Sequence, residues 1–289
     1  MSELTQSEIA SKYLLASGEG WNVCDEVCRA GPHNPAFEER HSHTSVSAVL
    51  SGTFVYRSAR ARVLMAPGSL LLGEREAPFS CSHEHGIGDR CVAFYFDPVF
   101  VEDVASEIPG VRRIVFNTNR IPPCHLLAPL FADIRTFVHS CAQHAGEELA
   151  LRLVAAALRI VGSGRDVPVH DRDERRISQA LAIIEKNLTS QLSVATLAAE
   201  VEMTRYHFLR IFHRTVGETP YRYILNRRLV LAAQRLSTRP NGVLEIALAC
   251  GFGDLSEFTR HFRSRFGAPP AAYRRERSIL NTRKSRINR

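Results

Sequence analysis

The sequence reads FLRIFHRTVGETPYRY at residues 208–223 and FTRHFRSRFGAPPAAY at residues 258–273. At a constant offset of 50, six of the 16 positions are identical: Phe208/Phe258, Arg210/Arg260, Phe212/Phe262, Gly217/Gly267, Pro220/Pro270 and Tyr223/Tyr273. Upstream the offset becomes 49, because Ala198 aligns with Ala247. Such an internal repeat predicts a duplicated helical unit whose turn has gained one residue while the helix faces keep their spacing.

Each copy has the pattern of a helix, a tight turn and a second helix. In the first copy, Ser193 and Thr204 can cap the two helices, because their side-chain oxygens accept hydrogen bonds from the free N–H groups of a first turn. In the second copy, Gly251 stands where a left-handed residue ends a helix, and Asp254 with Glu257 has capping-box spacing. The pattern predicts two helix-turn-helix units.

The second helix of each copy is predicted to have a core face and an exposed face. Apolar residues recur at intervals of three and four and should face the core: Phe208, Ile211, Phe212, Phe258, Phe262 and Phe266. We expect the opposite face to contact DNA through eight residues: Arg205, Tyr206, Leu209, Arg210, Leu255, Ser256, Glu257 and Arg260. Arginine in the first half of such a helix can bind guanine O6 and N7 in the major groove. The alternative is that these arginines are only solvated or ion-paired.

A single long helix is predicted between the two copies. Residues 221–236, YRYILNRRLVLAAQRL, have apolar spacing for one helix of about 24 Å. A rigid helix of that length could hold two reading helices close to one duplex turn, about 34 Å, apart. One monomer could therefore read two adjacent DNA segments.

The basic charge is confined to the half that contains the repeat. Residues 171–289 hold 22 Lys/Arg against 11 Asp/Glu, whereas residues 1–170 hold 15 against 19. A domain this positive favours a polyanionic partner, because neutralising phosphates releases condensed counterions. A merely solvated basic surface is the other interpretation of the charge.

Composition indicates a soluble chain of two folding units. A length of 289 residues exceeds one small core. Seven cysteines, an odd number, favour reduced thiols. No apolar run approaches the roughly 20 residues that span a bilayer. Glu3 and Glu8 stand where a secretory signal would carry Lys or Arg, so we expect a cytoplasmic protein.

The first half is predicted to be strand-rich and then helical. Short β-type runs broken by Gly and Pro fill residues 45–96, as in a small antiparallel barrel or sandwich. Helical patterns at residues 125–140 and 147–161 predict a helical hairpin. Residues 161–173 have the Gly, Ser, Pro and Asp content of a linker. At the other end, the basic residues 281–289 are expected to be disordered.

The repeat region resembles a known family. Residues 176–274, which include LSVATLAAEV, RRLVLAAQRL and IALACGFGDLSEFTRHFRSRFGAPPAAYR, are similar to the DNA-binding domain of AraC/XylS-type transcription regulators. The resemblance implies sequence-specific promoter binding, with bases contacted by the eight exposed residues named above. Leu209 and Leu255 are apolar where polar base contacts are common, so they could read thymine methyl groups. The strands and the phrase VLMAPGSLLL are similar to the family's cupin-like effector-binding barrel, which precedes helices used for dimerisation.

The predicted fold class is therefore α+β. Residues 1–165 form a cupin-like β-barrel with a helical hairpin, for effector binding and dimerisation. Residues 174–277 form an all-α domain with two helix-turn-helix units joined by a long helix, and residues 278–289 form a basic tail. We expect a transcription regulator, an activator, with double-stranded promoter DNA, RNA polymerase and a small-molecule effector as partners. It should act as a cytoplasmic homodimer without a cofactor or catalytic activity.

Two other functions fit parts of the sequence. A metal-dependent cupin enzyme could carry an appended nucleic-acid-binding domain. An architectural protein could bind DNA without sequence preference, which the basic tail favours.

Histidines and cysteines near the strands form a candidate effector-binding set: His41, His43, Cys81, His83, His85 and Cys91. Residues two apart on a strand point the same way, so each His-x-His pair could offer two imidazoles to one metal. Cupin enzymes place a carboxylate four residues after the second histidine, where this chain has Ser47. A thiol-containing sensor site, a metal-free effector pocket and surface histidines all stay open. Cys24 and Cys28 are spaced like a pair on one helix face and are expected to be ordinary buried thiols.

Overall fold

The computed structural model of the chain describes residues 9–84, 86–108, 116, 118–140, 143–160 and 171–287. Its N-terminal half contains these strands: β1 Ala10–Gly18, β2 Trp21–Cys28, β3 Phe37–Arg40, β4 Thr44–Gly52, β5 Phe54–Ser58, β6 Arg62–Met65, β7 Leu70–Gly73, β8 Pro78–Ser82, β9 Asp89–Phe96 and β10 Arg120–Ile121. They form a six-stranded sheet in the order β1-β2-β9-β4-β7-β10 and a four-stranded sheet in the order β3-β8-β5-β6.

The predicted β-barrel is corrected to two separate sheets. Within the described residues, β1 pairs only with β2 and β10 only with β7, so the larger sheet keeps two edges and does not close. The chain passes from one sheet to the other between β4 and β5. Gly52 makes this passage with a φ of 75°, and a Cβ atom there would lie 2.1 Å from the carbonyl oxygen of Gly88.

Among the described residues of this half, helix α1 Pro98–Ser106 comes before β10, and helices α2 Ala128–Ser140 and α3 Gln143–Ile160 come after it. Helices α2 and α3 contact each other, which confirms the predicted helical hairpin. The hairpin packs on the larger sheet, because alternate strand residues such as Val23, Val46 and Phe94 are fully buried in one cluster with Phe131 and Leu153.

The C-terminal half is helical: α4 Asp171–Lys186, α5 Val194–Glu200, α6 Arg205–Val216, α7 Pro220–Thr238, α8 Val243–Ala249, α9 Leu255–Phe266 and α10 Pro270–Ile287. The starts of α6 and α9 are 50 residues apart and those of α5 and α8 are 49 apart, as in the sequence repeat. The 19 residues of α7 span about 28 Å. Two helix-turn-helix units joined by a long helix are thereby confirmed.

Two sequence predictions about the ends of this half are wrong in part. Helix α4 begins at Asp171, so the predicted linker does not include residues 171–173; residues 161–170 lie outside the described residues. Helix α10 continues to Ile287, so residues 281–287 are helical rather than disordered. That stretch has no Gly or Pro, and its positive charges favour a helix C-terminus. Within the described residues, every helix is too short or too polar to cross a bilayer.

The connecting helix α7 packs against α2 of the N-terminal half. Arg227 lies on α7, and its guanidinium donates to both carboxylate oxygens of Glu185, at 2.7 and 2.6 Å. It also donates to the carbonyl oxygen of Leu50 at 3.2 Å, which accepts a second hydrogen bond from Arg135 at 2.6 Å. Because Glu185 lies on α4 and Leu50 on β4, Arg227 joins three elements.

The smaller sheet contacts the first helix-turn-helix unit. Strands β5 and β6 share a buried apolar cluster with α4, α5 and α6. Arg62 on β6 donates to Glu174 on α4 at 2.7 Å, and the hydroxyl oxygens of Thr53 and Ser178 lie 2.6 Å apart. The two halves are therefore docked through both polar and apolar contacts.

Candidate DNA interface and effector cavity

Caps fix the ends of the helices that are predicted to read DNA. Thr204 Oγ1 accepts a hydrogen bond from the backbone of His207 at 3.3 Å, and Asp254 Oδ1 accepts one from Ser256 at 2.6 Å. Helices α6 and α9 end at Gly217 and Gly267, which have left-handed φ values of 96° and 78°. Ser193 likewise caps α5 by accepting from Thr196. The caps predicted at Ser193, Thr204 and Asp254 are confirmed.

The same aromatic arrangement anchors both units. The rings of Phe208 and Phe212 are 5.5 Å apart, and those of Phe258 and Phe262 are 5.4 Å apart. Phe212 meets Tyr223 edge-on, and Phe262 meets Tyr273 in the same way, at 5.8 and 5.3 Å. Four of these phenylalanines are fully buried, and Phe266 is half-buried. The repeated residues therefore build the core and fix which helix face is exposed.

All eight predicted base-reading residues are exposed: Arg205, Tyr206, Leu209, Arg210, Leu255, Ser256, Glu257 and Arg260. Tyr206 is the one aromatic residue among these eight, and 78% of its surface is exposed. Arg210 Nη2 lies 3.3 Å from His207 Nδ1, and Glu257 Oε1 lies 3.5 Å from His261 Nε2. The two faces differ in charge, since Glu257 places a carboxylate beside Arg260.

Sequence reasoning missed part of the second face. An open groove along α9 is lined by Leu255, Ser256 and Arg260 together with Thr259, Arg263 and Ser264. Arg263 is exposed and lies three residues after Arg260. Helical spacing of three and four from Leu255 and Arg260 would have found it.

A cavity of about 310 Å³ lies in the N-terminal half and is lined by residues of both sheets. This is near the lower end of the 300–1,000 Å³ typical of ligand sites. Four of the six candidate residues line it: His41, Cys81, His83 and Cys91. His43 does not, and its ring instead packs edge-on against Tyr95 at 6.1 Å. His85 lies outside the described residues.

Burial keeps several groups of the cavity neutral. It lowers the pKa of His41 to about 4, and His41 Nε2 lies 2.9 Å from the hydroxyl of Tyr56. Burial also raises the pKa of Cys81 and of Cys91, so both remain thiols at neutral pH. Because the thiolate is the reactive form of cysteine, these two residues are poor redox sensors.

Charged groups lie at another part of the cavity wall. Lys12 Nζ is 3.0 Å from Glu26 Oε1 and 3.8 Å above the ring centre of Tyr95. The hydroxyl of Tyr95 donates to Glu26. The cavity therefore presents a cation, a carboxylate and an aromatic face to a ligand.

These groups were missed because β1 and β2 precede the region in which strands were predicted. Cys24 and Cys28 lie on β2, so their helix-like spacing does not reflect a helix. Cys24 is buried, as expected, whereas Cys28 is only half-buried. The signal for β2 was the alternation of apolar and polar residues in WNVCDEVC, which predicts a strand with two different faces. Trp21 and Val23 are buried against the helical hairpin, whereas Glu26 and Cys28 line the cavity.

His83 and Asp89 form a buried pair in the cavity. His83 Nε2 lies 2.7 Å from Asp89 Oδ1, and the thiol of Cys91 donates to Asp89 Oδ2 at 3.2 Å. Burial alone would lower the pKa of His83, but the contact with Asp89 and the nearby sulfur of Cys28 raise it to about 9. The ring is held in one orientation by the carboxylate.

Glu218 lies in the turn between α6 and α7 and is only 7% exposed. Its Oε2 accepts a hydrogen bond from Asn226 at 2.8 Å. Burial raises the pKa of Glu218 to about 7, although the charge of Arg222 and the Asn226 hydrogen bond act in the opposite direction. The turn that joins the first reading helix to α7 thus contains a carboxyl group that titrates near neutral pH.

Glu218 should make the chain less stable as the pH rises. Its pKa in the folded chain is above the ordinary 4.5, so its contribution to stability is fully present below about pH 4.5 and is lost as the pH rises through 7. Glu218→Gln stays neutral and should be more stable than wild type by about 2–3 kcal/mol at pH 8, with little difference at pH 4. Urea unfolding at a series of pH values measures this, and a difference that does not change with pH would contradict it.

Comparison with known proteins finds two matching family models. A family model described as the AraC-like ligand binding domain matches residues 26–202, which is more than half of the chain, and one described as a helix-turn-helix domain matches residues 197–276. The chain is 28% identical over 133 residues to the probable transcriptional regulator LumQ of Photobacterium leiognathi, a match covering 45% of the chain and 54% of LumQ. The chain thus spans about half the length of that relative.

Two further proteins are similar to about a third of the chain. The HTH-type transcriptional activator AarP of Providencia stuartii is 37% identical over 98 residues, covering 34% of the chain and 73% of AarP. The solved DNA-binding domain of AdpA, in complex with a target DNA, is 34% identical and covers 35% of this chain and 91% of that one, with a TM-score of 0.34. With a ligand-binding domain ahead of a duplicated helix-turn-helix region, the chain belongs to the AraC family of helix-turn-helix transcription regulators.

Proposed function

We propose that the chain is a sequence-specific transcription activator controlled by a small-molecule effector. The observation that carries the proposal is the pair of capped helices, α6 and α9, which expose corresponding faces from the two ends of one rigid helix. We place residues 1–165 in the effector-binding and dimerisation domain and residues 174–277 in the DNA-binding domain. The activator works as a cytoplasmic homodimer that contacts RNA polymerase at promoters.

The two reading helices enter successive major grooves on one side of the duplex. Arg205, Tyr206 and Arg210 contact bases from α6, and Arg260 does so from α9. Leu209 and Leu255, each just over a third exposed, meet thymine methyl groups. The net positive charge of residues 171–289 adds affinity that does not depend on sequence.

This mode of binding is tested by selecting genomic fragments bound by the full chain and mapping the contacted bases. One monomer should protect two short segments whose centres are about 10 base pairs apart on the same face of the duplex. Protection of a single segment, or of no preferred segment, would contradict two reading helices.

The effector occupies the cavity between the two sheets. Its volume suits a small molecule, and the neutral His41, the Lys12–Glu26 pair and Tyr95 offer it hydrogen bonds and charge. A compound without polar groups would displace water from Lys12 and Glu26 without offering them hydrogen bonds in return. We therefore expect a small polar effector.

A screen of small polar metabolites by thermal shift tests the cavity. Ser47 is buried, lies on β4 and lines the cavity, so Ser47→Leu should fill part of it and abolish stabilisation by any compound found. Ser51→Leu is the matched control, because Ser51 is on the same strand but exposed. A compound that still stabilises Ser47→Leu binds elsewhere, and the cavity assignment then fails.

Ion pairs connect the cavity to the first helix-turn-helix unit. His83 lines the cavity, and the next residue, Glu84, accepts hydrogen bonds from Arg57 and Arg62. Arg62 also donates to Glu174 on α4. An effector that shifts the segment of His83 would thus change the contacts of Arg62 with α4. Because α4 packs against α6, effector binding would in turn affect the position of α6.

A further inference from the structure

A cluster of metal-binding side chains lies at the end of β2 and the start of β9. Cys28, His83 and Asp89 each bring one donor atom within 4.8 Å of the other two. Cys28 and Asp89 are directly opposite each other in the β2–β9 ladder, so their side chains emerge on the same face. All three residues line the cavity. We call them the cavity triad.

One nitrogen of the His83 imidazole has no nitrogen or oxygen partner among the described residues, and the sulfur of Cys28 lies near the ring. The side chain is 2% exposed, and Nε2 is occupied by Asp89 Oδ1. Nδ1 is buried and has no hydrogen-bond partner among the described residues. A buried polar atom without a hydrogen bond lowers the stability of the fold, and a ligand or ion at that position would remove this loss.

The pair of His83 and Asp89 has the arrangement found around bound metals. A histidine that binds a metal through one nitrogen usually donates its other N–H to a carboxylate, which fixes the ring and strengthens the ligand. Asp89 meets His83 in this way and is itself held by the thiol of Cys91. Asp89 is therefore a positioning residue, and Nδ1 of His83 is the free donor.

The donor set selects the class of ion. A thiolate and an imidazole suit Zn²⁺ and similar borderline cations, whereas Mg²⁺ and Ca²⁺ prefer oxygen ligands. In a tetrahedral site, Zn–S and Zn–N bonds of about 2.3 and 2.1 Å put the two ligand atoms about 3.6 Å apart. Donor atoms within 4.8 Å of one another therefore need to approach by no more than about 1.2 Å.

We propose that the cavity triad binds one thiophilic divalent cation, with Cys28 Sγ and His83 Nδ1 as ligands and Asp89 orienting the imidazole. The ion replaces the proton of the Cys28 thiol and the Nδ1 proton of the His83 imidazolium, and both protons pass to solvent. Its remaining coordination positions face the cavity and are open to water or to a polar group of a bound molecule. The proposal goes beyond control by an effector, because it requires only that the ion binds at this place.

Titration of the full chain with Co²⁺ tests the site, because Co²⁺ reports thiolate ligation by a charge-transfer absorption in the near ultraviolet. We expect one Co²⁺ per chain, a charge-transfer band, and displacement of Co²⁺ by Zn²⁺. Cys28→Ser should abolish the band, and His83→Ala should weaken binding at least tenfold. Asp89→Asn should keep the band while lowering affinity about 10- to 100-fold, as expected for a positioning residue.

Cys24→Ala is the matched control, because Cys24 is a buried cysteine on the same strand outside the triad. It should bind Co²⁺ as wild type does, and circular dichroism of every variant checks folding. Absence of stoichiometric binding, or a band that survives Cys28→Ser, overturns the proposal; a band lost in Cys91→Ser and kept in Cys28→Ser overturns the ligand assignment. DNA binding by the metal-free chain is measured in parallel, so that failure of the metal site is distinguished from failure of the regulator function.

Discussion

Replacing Arg227 by methionine should lower the free energy of unfolding by about 3–5 kcal/mol. The guanidinium is buried and donates to both oxygens of Glu185 and to the carbonyl oxygen of Leu50. Burial would raise the pKa of Glu185, but the charge and hydrogen bonds of Arg227 hold it below its usual value. Removing Arg227 therefore leaves the Glu185 carboxylate with only the hydrogen bond from Tyr223 and the charge of Arg135 to compensate it.

Urea unfolding at neutral pH measures this loss. The double variant Arg227→Met with Glu185→Leu removes both charges and should recover most of the stability, because a buried ion pair can be replaced by apolar groups at little net cost. Arg239→Met is the matched control, since Arg239 is exposed at the end of the same helix. A loss below about 1 kcal/mol for Arg227→Met would mean that the two halves do not depend on this contact.

The second large effect is expected in DNA binding. The double variant Arg205→Ala with Arg210→Ala should weaken specific binding by about 2–6 kcal/mol, because each base-reading arginine contributes about 1–3 kcal/mol. Arg260→Ala should cost about 1–3 kcal/mol. Each unit exposes two arginines, Arg205 and Arg210 in the first and Arg260 and Arg263 in the second, but the first adds Tyr206 and the second adds the acidic Glu257. We therefore expect the first unit to contribute more.

Electrophoretic titration on specific and random DNA at the same salt concentration measures both effects. Arg275→Ala is the control, since it removes one positive charge, as Arg260→Ala does, from an exposed position on α10 outside the reading helices; twice its effect is the reference for the double variant. Equal losses on specific and random DNA would make these arginines phosphate contacts. A larger loss from the second unit would overturn the ranking.

The helix-turn-helix region could be predicted from one sequence because the residues that recur in its repeat are the ones that form the core and end the helices. The positions that recur at an offset of 50 are core aromatics such as Phe208 and Phe258 and helix-ending glycines, which fix the exposed face by exclusion. The contacts between the halves could not be predicted. The hydrogen bonds from Arg62 to Glu174 and between Thr53 and Ser178 join residues 112 and 125 positions apart, and no local sequence pattern indicates such pairs.

The N-terminal half was predicted less completely for a different reason. Strand β1 is mostly exposed and lacks the alternation that marks a half-buried strand, so the sheet seemed to begin at residue 45. With β1 and β2 missed, Cys28 and Glu26 were not recognised as cavity residues. The prediction of a closed barrel was also wrong, because a strand pattern indicates which face of a strand is buried but not which strand edges pair.

The ratio of affinities for a selected genomic site and for random DNA, at one salt concentration, tests the central claim most directly. A chain that reads bases with both α6 and α9 should bind the selected site at least about 10³-fold more tightly. A ratio near one would show that the basic half binds only the phosphate backbone, and would contradict the function proposed for this chain.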